Sequence, residues 1–273
     1  MAFFSRFTPP RRNLRLCLLP MVCALLAACA SGPDNISLIP AGKIAAQTEQ
    51  SGLATQSIKW EHRKPGCQGE CPTIKLDSIA FPSVPILTKL VDHALATMTG
   101  VGVSGPAPYD TIAGYENYFW QTASPRDSAV LSAKTRYRNQ HLTVIELDTW
   151  QYYTGAAHGV SATQFLNWDN TRRRVLGMAD VLEPGRHPAY VSALEQAYQD
   201  WLAHNPDAQR DPDTYHRIWP FQPSDNFALT DQGMVIKYDS YQIAPYSAGQ
   251  PELLIPYEAL KGILRPEYLP GRG

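Results

Sequence analysis

One ten-residue connection constrains this sequence more than any other stretch. It spans residues 150–159, and strand-like, β-branched segments precede it at 141–148 and follow it at 160–168. Its two glycines supply the backbone freedom with which a chain can reverse direction between two strands. We therefore expect the two flanking strands to meet across this connection in a central sheet, with the imidazole of His158 at its tip.

The rest of the sequence alternates between helical and strand-like segments. Apolar residues recur at helical spacing over residues 86–99, 109–121 and 188–203, and strand pairs flank tight turns within 129–153 and 227–238. Residues 205–224 are polar and rich in proline, which is typical of a long surface loop. Since hairpins build antiparallel sheets, we predict an α+β fold: an antiparallel sheet built from hairpins and packed against three to four helices, not a doubly wound parallel sheet.

The N-terminal segment has the features of an export signal. Four arginines precede a short apolar run at 16–28, which ends in Leu-Ala-Ala followed by Cys29. This ending resembles a bacterial lipobox, which implies a lipoprotein signal peptide at 1–28 and lipidation of Cys29. Lipoproteins that stay in the inner membrane carry Asp directly after the lipidated cysteine. This sequence has Ala30 at that position, which resembles the outer-membrane sorting pattern. The expectation is a lipid-anchored protein of the outer membrane facing the periplasm; an ordinary signal peptide that ends near a cysteine is the alternative.

Charge and composition exclude one class of partner. The signal contains four of the 24 basic residues and none of the 25 acidic ones, so 20 basic residues remain after cleavage and the net charge becomes −5. Such a balance argues against nucleic acid, which favours a basic surface. We expect a flexible tether at 29–56, an N-terminal α/β part at 57–127 and a C-terminal domain at 128–267, the two parts forming one compact body.

Two cysteines remain after export and lipidation. Cys67 and Cys71 lie in a loop rich in turn-forming residues, and in an oxidising compartment a disulfide is the default expectation. A metal site would need two further ligands, and only His62 is near. We therefore predict a disulfide, no metal and no cofactor.

Several separated motifs resemble the RsiV-type extracellular domain, a domain of unknown function that also occurs beside polysaccharide-deacetylase domains. The motifs that carry this resemblance lie at 153–159, 167–169, 178–182, 227–236, 241–249 and 255–257. The resemblance covers roughly residues 128–266. In RsiV anti-sigma factors this domain binds lysozyme, which implies a lysozyme-like protein as a partner here. After cleavage this sequence is expected to lack the cytoplasmic segment of an anti-sigma factor.

His158 is the candidate general base of this sequence, because an imidazole suits proton transfer at neutral pH. No nucleophile-elbow, zinc-protease or other metal motif accompanies it. A structural role for His158 and Thr154, bonding backbone groups of the connection, is therefore preferred over catalysis, and no catalytic residue is assigned. Tyr238, Tyr241 and Tyr246, with Pro245 and Gly249, suit a sugar-stacking or protein-docking surface, or a packed loop. The candidate ligand-binding residues are Tyr153, Thr154, Gly155, His158, Gly159, Tyr241 and Tyr246.

These observations favour a non-catalytic binding module of the cell envelope, with peptidoglycan or a lysozyme-like protein as its ligand. Two alternatives remain. One is a hydrolase or deacetylase of cell-wall glycan that uses His158 with Thr154 or a nearby acid, and the other is a structural envelope-assembly lipoprotein.

Overall fold

The computed structural model describes residues 53–100 and 106–270. The predicted signal peptide, the lipidation site Cys29 and all but the last residues of the predicted tether lie outside these ranges. Leu53, near the end of the predicted tether, is buried in the hydrophobic core that the central sheet shares with two helices; we call this core the first core. The carbonyl oxygen of Leu53 accepts a hydrogen bond from the Arg138 guanidinium at 3.0 Å.

A six-stranded sheet forms the centre of the fold. Its strands follow one another across the sheet in chain order: β1 (Gln56–Arg63), β2 (Thr73–Ala80), β3 (Ser128–Arg138), β4 (Leu142–Tyr152), β5 (Val160–Asp169) and β6 (Arg174–Leu176). Neighbouring strands are antiparallel, except that β2 and β3 are parallel. The sheet is therefore mixed, within the α+β class that the sequence predicts.

Two helices explain the parallel pair. Helix α1 (Pro85–Met98) and helix α2 (Ile112–Thr122) lie between β2 and β3 in the chain. Parallel neighbours need such a crossover, because a tight turn can only reverse the chain. Both helices bury an apolar stripe in the first core, with Leu87 and Leu95 from α1 and Phe119 from α2 almost inaccessible to solvent.

A smaller antiparallel sheet forms a second layer. It consists of β7 (Phe227–Leu229), β8 (Gly233–Lys237) and β9 (Glu252–Pro256). The longest helix of the described residues, α4 (His187–Ala203), packs its buried face against this sheet. Together they form a second hydrophobic core, which residues of β4 and β5 join and which we call the second core. A single turn, α3 (Met178–Val181), leads from β6 towards α4.

Strand β4 divides its side chains between the two cores. Ile145 and Leu147 belong to the first core, whereas Val144, one position out of phase with them, belongs to the second. Successive side chains of a strand point to opposite faces of a sheet, so the alternation in the sequence places β4 between two layers. Because both faces of this strand are covered, the end of β4 is a fixed support for the connection that follows it.

The prediction of a continuous loop over 205–224 is wrong. Two short helices occupy this region, α5 (Pro206–Arg210) and α6 (Pro212–Ile218). Asn205 and Asp211 accept hydrogen bonds from the first backbone amides of α5 and α6, and a proline opens each helix. Proline is well suited to the first helical position, since it has no amide hydrogen to leave unpaired there.

Buried charges join the two sheets. The Lys237 ammonium of β8 donates to Glu146 at 2.6 Å and to Asp148 at 2.7 Å, both on β4. Arg136 of β3 pairs with Glu252 of β9 at 2.7 Å. Burial alone would raise the pKa of Glu146, but Lys237, Lys134 and Arg136 hold that pKa below its ordinary value. Burial would likewise lower the pKa of Lys237, and the carboxylates of Asp148 and Glu146 raise it instead.

Cys67 and Cys71 form the expected disulfide in the loop between β1 and β2, with their Cα atoms 5.9 Å apart. The loop that this bond closes is so short that the chain-entropy model gives a contribution of about 2 kcal/mol to stability. The bond is therefore a local constraint on this loop.

Candidate binding site at the connection between β4 and β5

Glycine is required at two positions of the connection, for two different reasons. Gly155 has φ +90°, a conformation that side chains with a Cβ atom rarely adopt. Gly159 sits directly against the indole of Trp150, and a Cβ atom there would come within 2.3 Å of it. The connection reverses the chain at the first glycine and packs under a tryptophan at the second, which fixes the position of His158 between them.

Both ring nitrogens of His158 are engaged. Nδ1 lies 2.9 Å from the carbonyl oxygen of Gly159, and Nε2 lies 2.8 Å from the hydroxyl oxygen of Tyr241. A carbonyl oxygen can only accept, so Nδ1 carries the proton and the Tyr241 hydroxyl donates to Nε2. A general base needs a free acceptor nitrogen, and in this arrangement the phenol occupies it.

Aromatic rings surround His158. The ring of Tyr246 stacks on the imidazole with a centroid separation of 4.2 Å and an interplanar angle of 23°. The ring centroid of Tyr241 lies 5.8 Å from that of Tyr246, and the Trp219 ring stacks on Tyr241 with a centroid separation of 6.1 Å. We call His158, Trp219, Tyr241 and Tyr246 the His158 cluster. Three of its members, His158, Tyr241 and Tyr246, are candidate residues from the sequence. The expectation of a surface role for Tyr238 is wrong, because Tyr238 is 1% exposed and its hydroxyl donates to the Gln222 carbonyl at 2.7 Å.

Tyr241 stands out by its backbone. It has φ +72°, in the left-handed region, and 49% of its surface is exposed. A residue other than glycine in this region costs of order 1–3 kcal/mol, and such strain is concentrated at functional sites. Neighbouring contacts hold it: Ser240 donates to the Gly249 carbonyl at 3.0 Å, and Gln242 accepts from the Asp239 amide at 2.7 Å.

Asp239 fixes the start of this loop to the central sheet. Its carboxylate accepts a hydrogen bond from the Thr163 amide at 2.7 Å, and the residue lies two positions beyond Lys237. Burial raises the pKa of Asp239, although the Thr163 amide and the Lys237 charge act in the opposite direction. The hydrogen bond from Thr163 therefore ties the start of the loop that contains Tyr241 to the central sheet.

Sequence reasoning missed Trp219 because it lies in the region expected to be a loop. The hydroxyl of Tyr198, on α4, donates to the carbonyl of Trp219. Burial raises the pKa of Tyr198 to about 12, so this donor keeps its proton at neutral pH. No local pattern predicts this contact, since it joins the end of α6 to the middle of another helix.

Tyr153 and Thr154 lie at the other side of the connection and do not join the His158 cluster. The amide and hydroxyl of Thr154 both donate to Asp127, at 2.6 and 2.7 Å. The hydroxyl of Tyr153 donates to Gln151 at 3.2 Å. Thr154 therefore caps the start of β3, and its hydroxyl is directed to a carboxylate instead of to His158.

Within residues 53–100 and 106–270, no three histidine, cysteine or acidic side chains gather where they could hold a metal ion. Over the same ranges, no helix combines the length and apolar character that crossing a membrane requires.

Comparison with known proteins identifies the family. A family model described as "Protein of unknown function (DUF3298)" matches residues 179–258. A DUF3298 family protein from Pseudomonas aeruginosa PAO1, known from a crystal structure, is similar to this chain in sequence and fold. The sequence identity is 39% and the TM-score 0.74, and the match covers 81% of this chain and 98% of that one.

A member of the DUF3298 family from Bacteroides fragilis NCTC 9343 is similar in fold. It is 21% identical, with a TM-score of 0.58, over 79% of this chain and 95% of that one. No curated protein matches the sequence. The identity and coverage of the Pseudomonas relative are decisive, and the chain belongs to the DUF3298 family.

Proposed function

We propose that this protein is a non-catalytic recognition module of the bacterial cell envelope, and that the His158 cluster binds the glycan strands of peptidoglycan. The observation that carries the proposal is the exposed, strained Tyr241, whose hydroxyl is oriented by His158. Aromatic faces provide apolar contact area, and a phenol adds a polar end, which suits the faces and hydroxyl groups of sugar rings.

The hydrogen bonds of His158 support binding over turnover. Nε2 accepts from Tyr241 and Nδ1 donates to Gly159, so the imidazole acts as a positioning group for the phenol. The hydroxyl of Thr154 donates to Asp127 and not to His158, so the pair of hydroxyl and imidazole that a hydrolase would use is not assembled. A glycan hydrolase or deacetylase that uses His158 with Thr154 would first have to break these contacts.

The second candidate ligand is a lysozyme-like protein. The motif at 153–159 and those from 227 onward resemble the RsiV-type extracellular domain, and lysozyme binding is known for that branch. A protein ligand would also use exposed aromatic residues, which are enriched where proteins bind tightly. Tyr153, at 42% exposure, would extend such an interface beyond the His158 cluster.

We further propose that Cys29 carries a lipid and anchors the protein in the outer membrane, facing the periplasm. The basic segment, the apolar run and the position of the cysteine support this proposal. Labelled palmitate should enter the wild-type protein and not the Cys29→Ser variant. Equal labelling of both proteins, or absence of label from both, would contradict the anchor.

The ligand is tested with the full chain in detergent, mixed with insoluble peptidoglycan and, separately, with soluble lysozyme. Saturable binding to peptidoglycan that falls at least tenfold in Tyr241→Ala supports the proposal; tenfold corresponds to about 1.4 kcal/mol. Tyr118→Ala is the matched control, because Tyr118 is a half-buried tyrosine on α2 that contacts Tyr109 and no member of the His158 cluster. Equal binding by all three proteins would refute the assignment of the site, and binding to lysozyme alone would favour the second ligand.

A further inference from the structure

A cleft of about 630 Å³ lies at the opposite end of β4 from the His158 cluster. The two sites flank an eleven-residue strand, which spans roughly 33 Å at the usual rise of a β-strand. The turns β3–β4, β5–β6 and β7–β8 and the C-terminal segment at 267–270 form its walls. Its volume falls in the range that small-molecule sites occupy.

The floor of the cleft is apolar and preformed. Leu142, Leu176 and Leu229 line it, and each of them is buried in the second core. The rings of Tyr137, Tyr257 and Tyr268 line it as well. The Tyr257 hydroxyl donates to the Thr230 carbonyl at 2.6 Å, which fixes the β7–β8 turn against the 3₁₀ turn that begins at Tyr257.

The walls are held by Arg172. Its guanidinium pairs with Asp169 at 3.1 Å and with Glu267 at 3.3 Å, and it donates to the Tyr268 hydroxyl at 3.3 Å. These contacts join the β5–β6 turn to the C-terminal segment and neutralise the arginine. Arg172 therefore does not present a free cationic group at this cleft.

The charge balance of the lining is negative. The exposed carboxylates of Asp231 and Glu267 and the buried carboxylate of Asp169 line the cleft together with one guanidinium and one imidazole, those of Arg172 and His141. Among the described residues, Asp231 has no hydrogen bond or ion pair of its own. Its charge acts on Tyr257: burial raises the pKa of the Tyr257 hydroxyl, and the nearby Asp231 carboxylate raises it further. A negative rim over an apolar, aromatic floor suits a cation with an alkyl chain.

We propose that this cleft binds an aliphatic primary amine, with its alkyl chain on the leucine floor and its ammonium group beside Asp231 and Glu267. A free amine and the lysine side chain of a peptide share this chemistry. The proposal does not depend on the function assigned to the His158 cluster, because the two sites share no residue.

The test uses the full chain in lipid nanodiscs, so that no detergent competes for the cleft. Hexylamine, hexanol and hexanoate are titrated by calorimetry at low ionic strength, where surface charges are least screened. Hexylamine should bind saturably and at least tenfold more tightly than hexanoate. A blocked lysine, N-acetyl-lysine methylamide, compares the two sources: tighter binding of this probe than of hexylamine indicates a peptide, and the reverse indicates a free amine.

Two variants locate the binding. Asp231→Asn should weaken hexylamine binding about fivefold, the effect of removing one nearby charge at a surface site. Thr171→Trp places a large ring at the exposed mouth of the cleft and should abolish binding, while Glu195→Gln, an exposed carboxylate on α4, should leave it unchanged. Equal affinity for hexylamine and hexanoate, or unchanged hexylamine binding in both cleft variants, would overturn the proposal.

Discussion

The hydroxyl of Tyr241 donates to Nε2 of His158 across 83 positions of sequence. The bond joins the connection after β4 to the loop after β8, and these two segments come from different sheets. It orients an exposed phenol by means of a partly buried imidazole. The relationship gives His158 a definite role that does not require it to exchange protons with a ligand.

Tyr241→Phe isolates this hydrogen bond. The variant keeps the ring and the left-handed backbone but leaves Nε2 of His158 without its donor. We expect the free energy of unfolding to fall by about 1 kcal/mol, the net value of a typical hydrogen bond. Urea unfolding measures the stability, and the peptidoglycan assay measures binding. Unchanged glycan affinity in Tyr241→Phe would mean that the ring face alone carries recognition.

Gly159→Ala tests the packing of the connection. A methyl group there meets the Trp150 indole at 2.3 Å, so the variant should lose about 2 kcal/mol of stability through overpacking. Gly155→Ala is the matched control: it meets no atom within 4 Å and should lose only about 1 kcal/mol, from its positive φ. Denaturation of both variants in urea gives the comparison. Equal losses would show that the contact with Trp150 is easily relieved.

Lys237→Met tests the charges between the two sheets. Removing the ammonium leaves Glu146, whose side chain is only 2% exposed, without its 2.6 Å partner. Breaking a buried ion pair from one side costs about 3 kcal/mol in the free energy of unfolding. The exposed pair of Lys59 with Asp77 provides a control, and Lys59→Met should change stability by less than about 1 kcal/mol. A small effect of Lys237→Met would mean that Lys134 and Arg136 compensate for the loss.

Glu146→Gln should give a pH-dependent loss of stability. The folded protein holds the pKa of Glu146 below its unfolded value, because nearby cations outweigh the effect of burial. Its ionised form therefore contributes stability above the ordinary glutamate pKa of about 4.3, and the contribution is lost as pH falls through the folded pKa. The difference between wild type and variant should be largest near neutral pH and shrink towards about pH 3. A difference that stays constant over this range would contradict the role of the charge.

The central strands could be predicted because their signals are local. Strand β4 alternates side chains between two cores, and β3 and β5 contain β-branched and apolar runs beside recognisable turns. Strand β1 lies, apart from Gln56, in the predicted N-terminal part, but no strand was predicted there because its sequence has little apolar periodicity; five of its eight residues are exposed. The order of strands in the sheet, including the parallel pair β2 and β3, depends on how the crossover packs and has no local signature.

Part of the candidate site was identified by residue type and not by a local pattern. His158, Tyr241 and Tyr246 do come together, although no spacing in the sequence requires it. Tyr153 and Thr154, only a few positions from His158, lie apart from the cluster because the chain reverses between them at Gly155. Trp219 is held by a hydrogen bond from Tyr198, a contact that only the tertiary structure brings about.

Strand β1 forms one edge of the six-stranded sheet, and Lys59, Glu61 and Arg63 alternate along it as exposed charged residues. Edge strands can pair with the edge of another copy, which leads to aggregation, and charged side chains oppose such pairing. This hazard is greatest at high local concentration, which the proposed lipid anchor would create. The same residues that hide β1 from sequence analysis thus protect the molecule from sheet-to-sheet association when it is crowded.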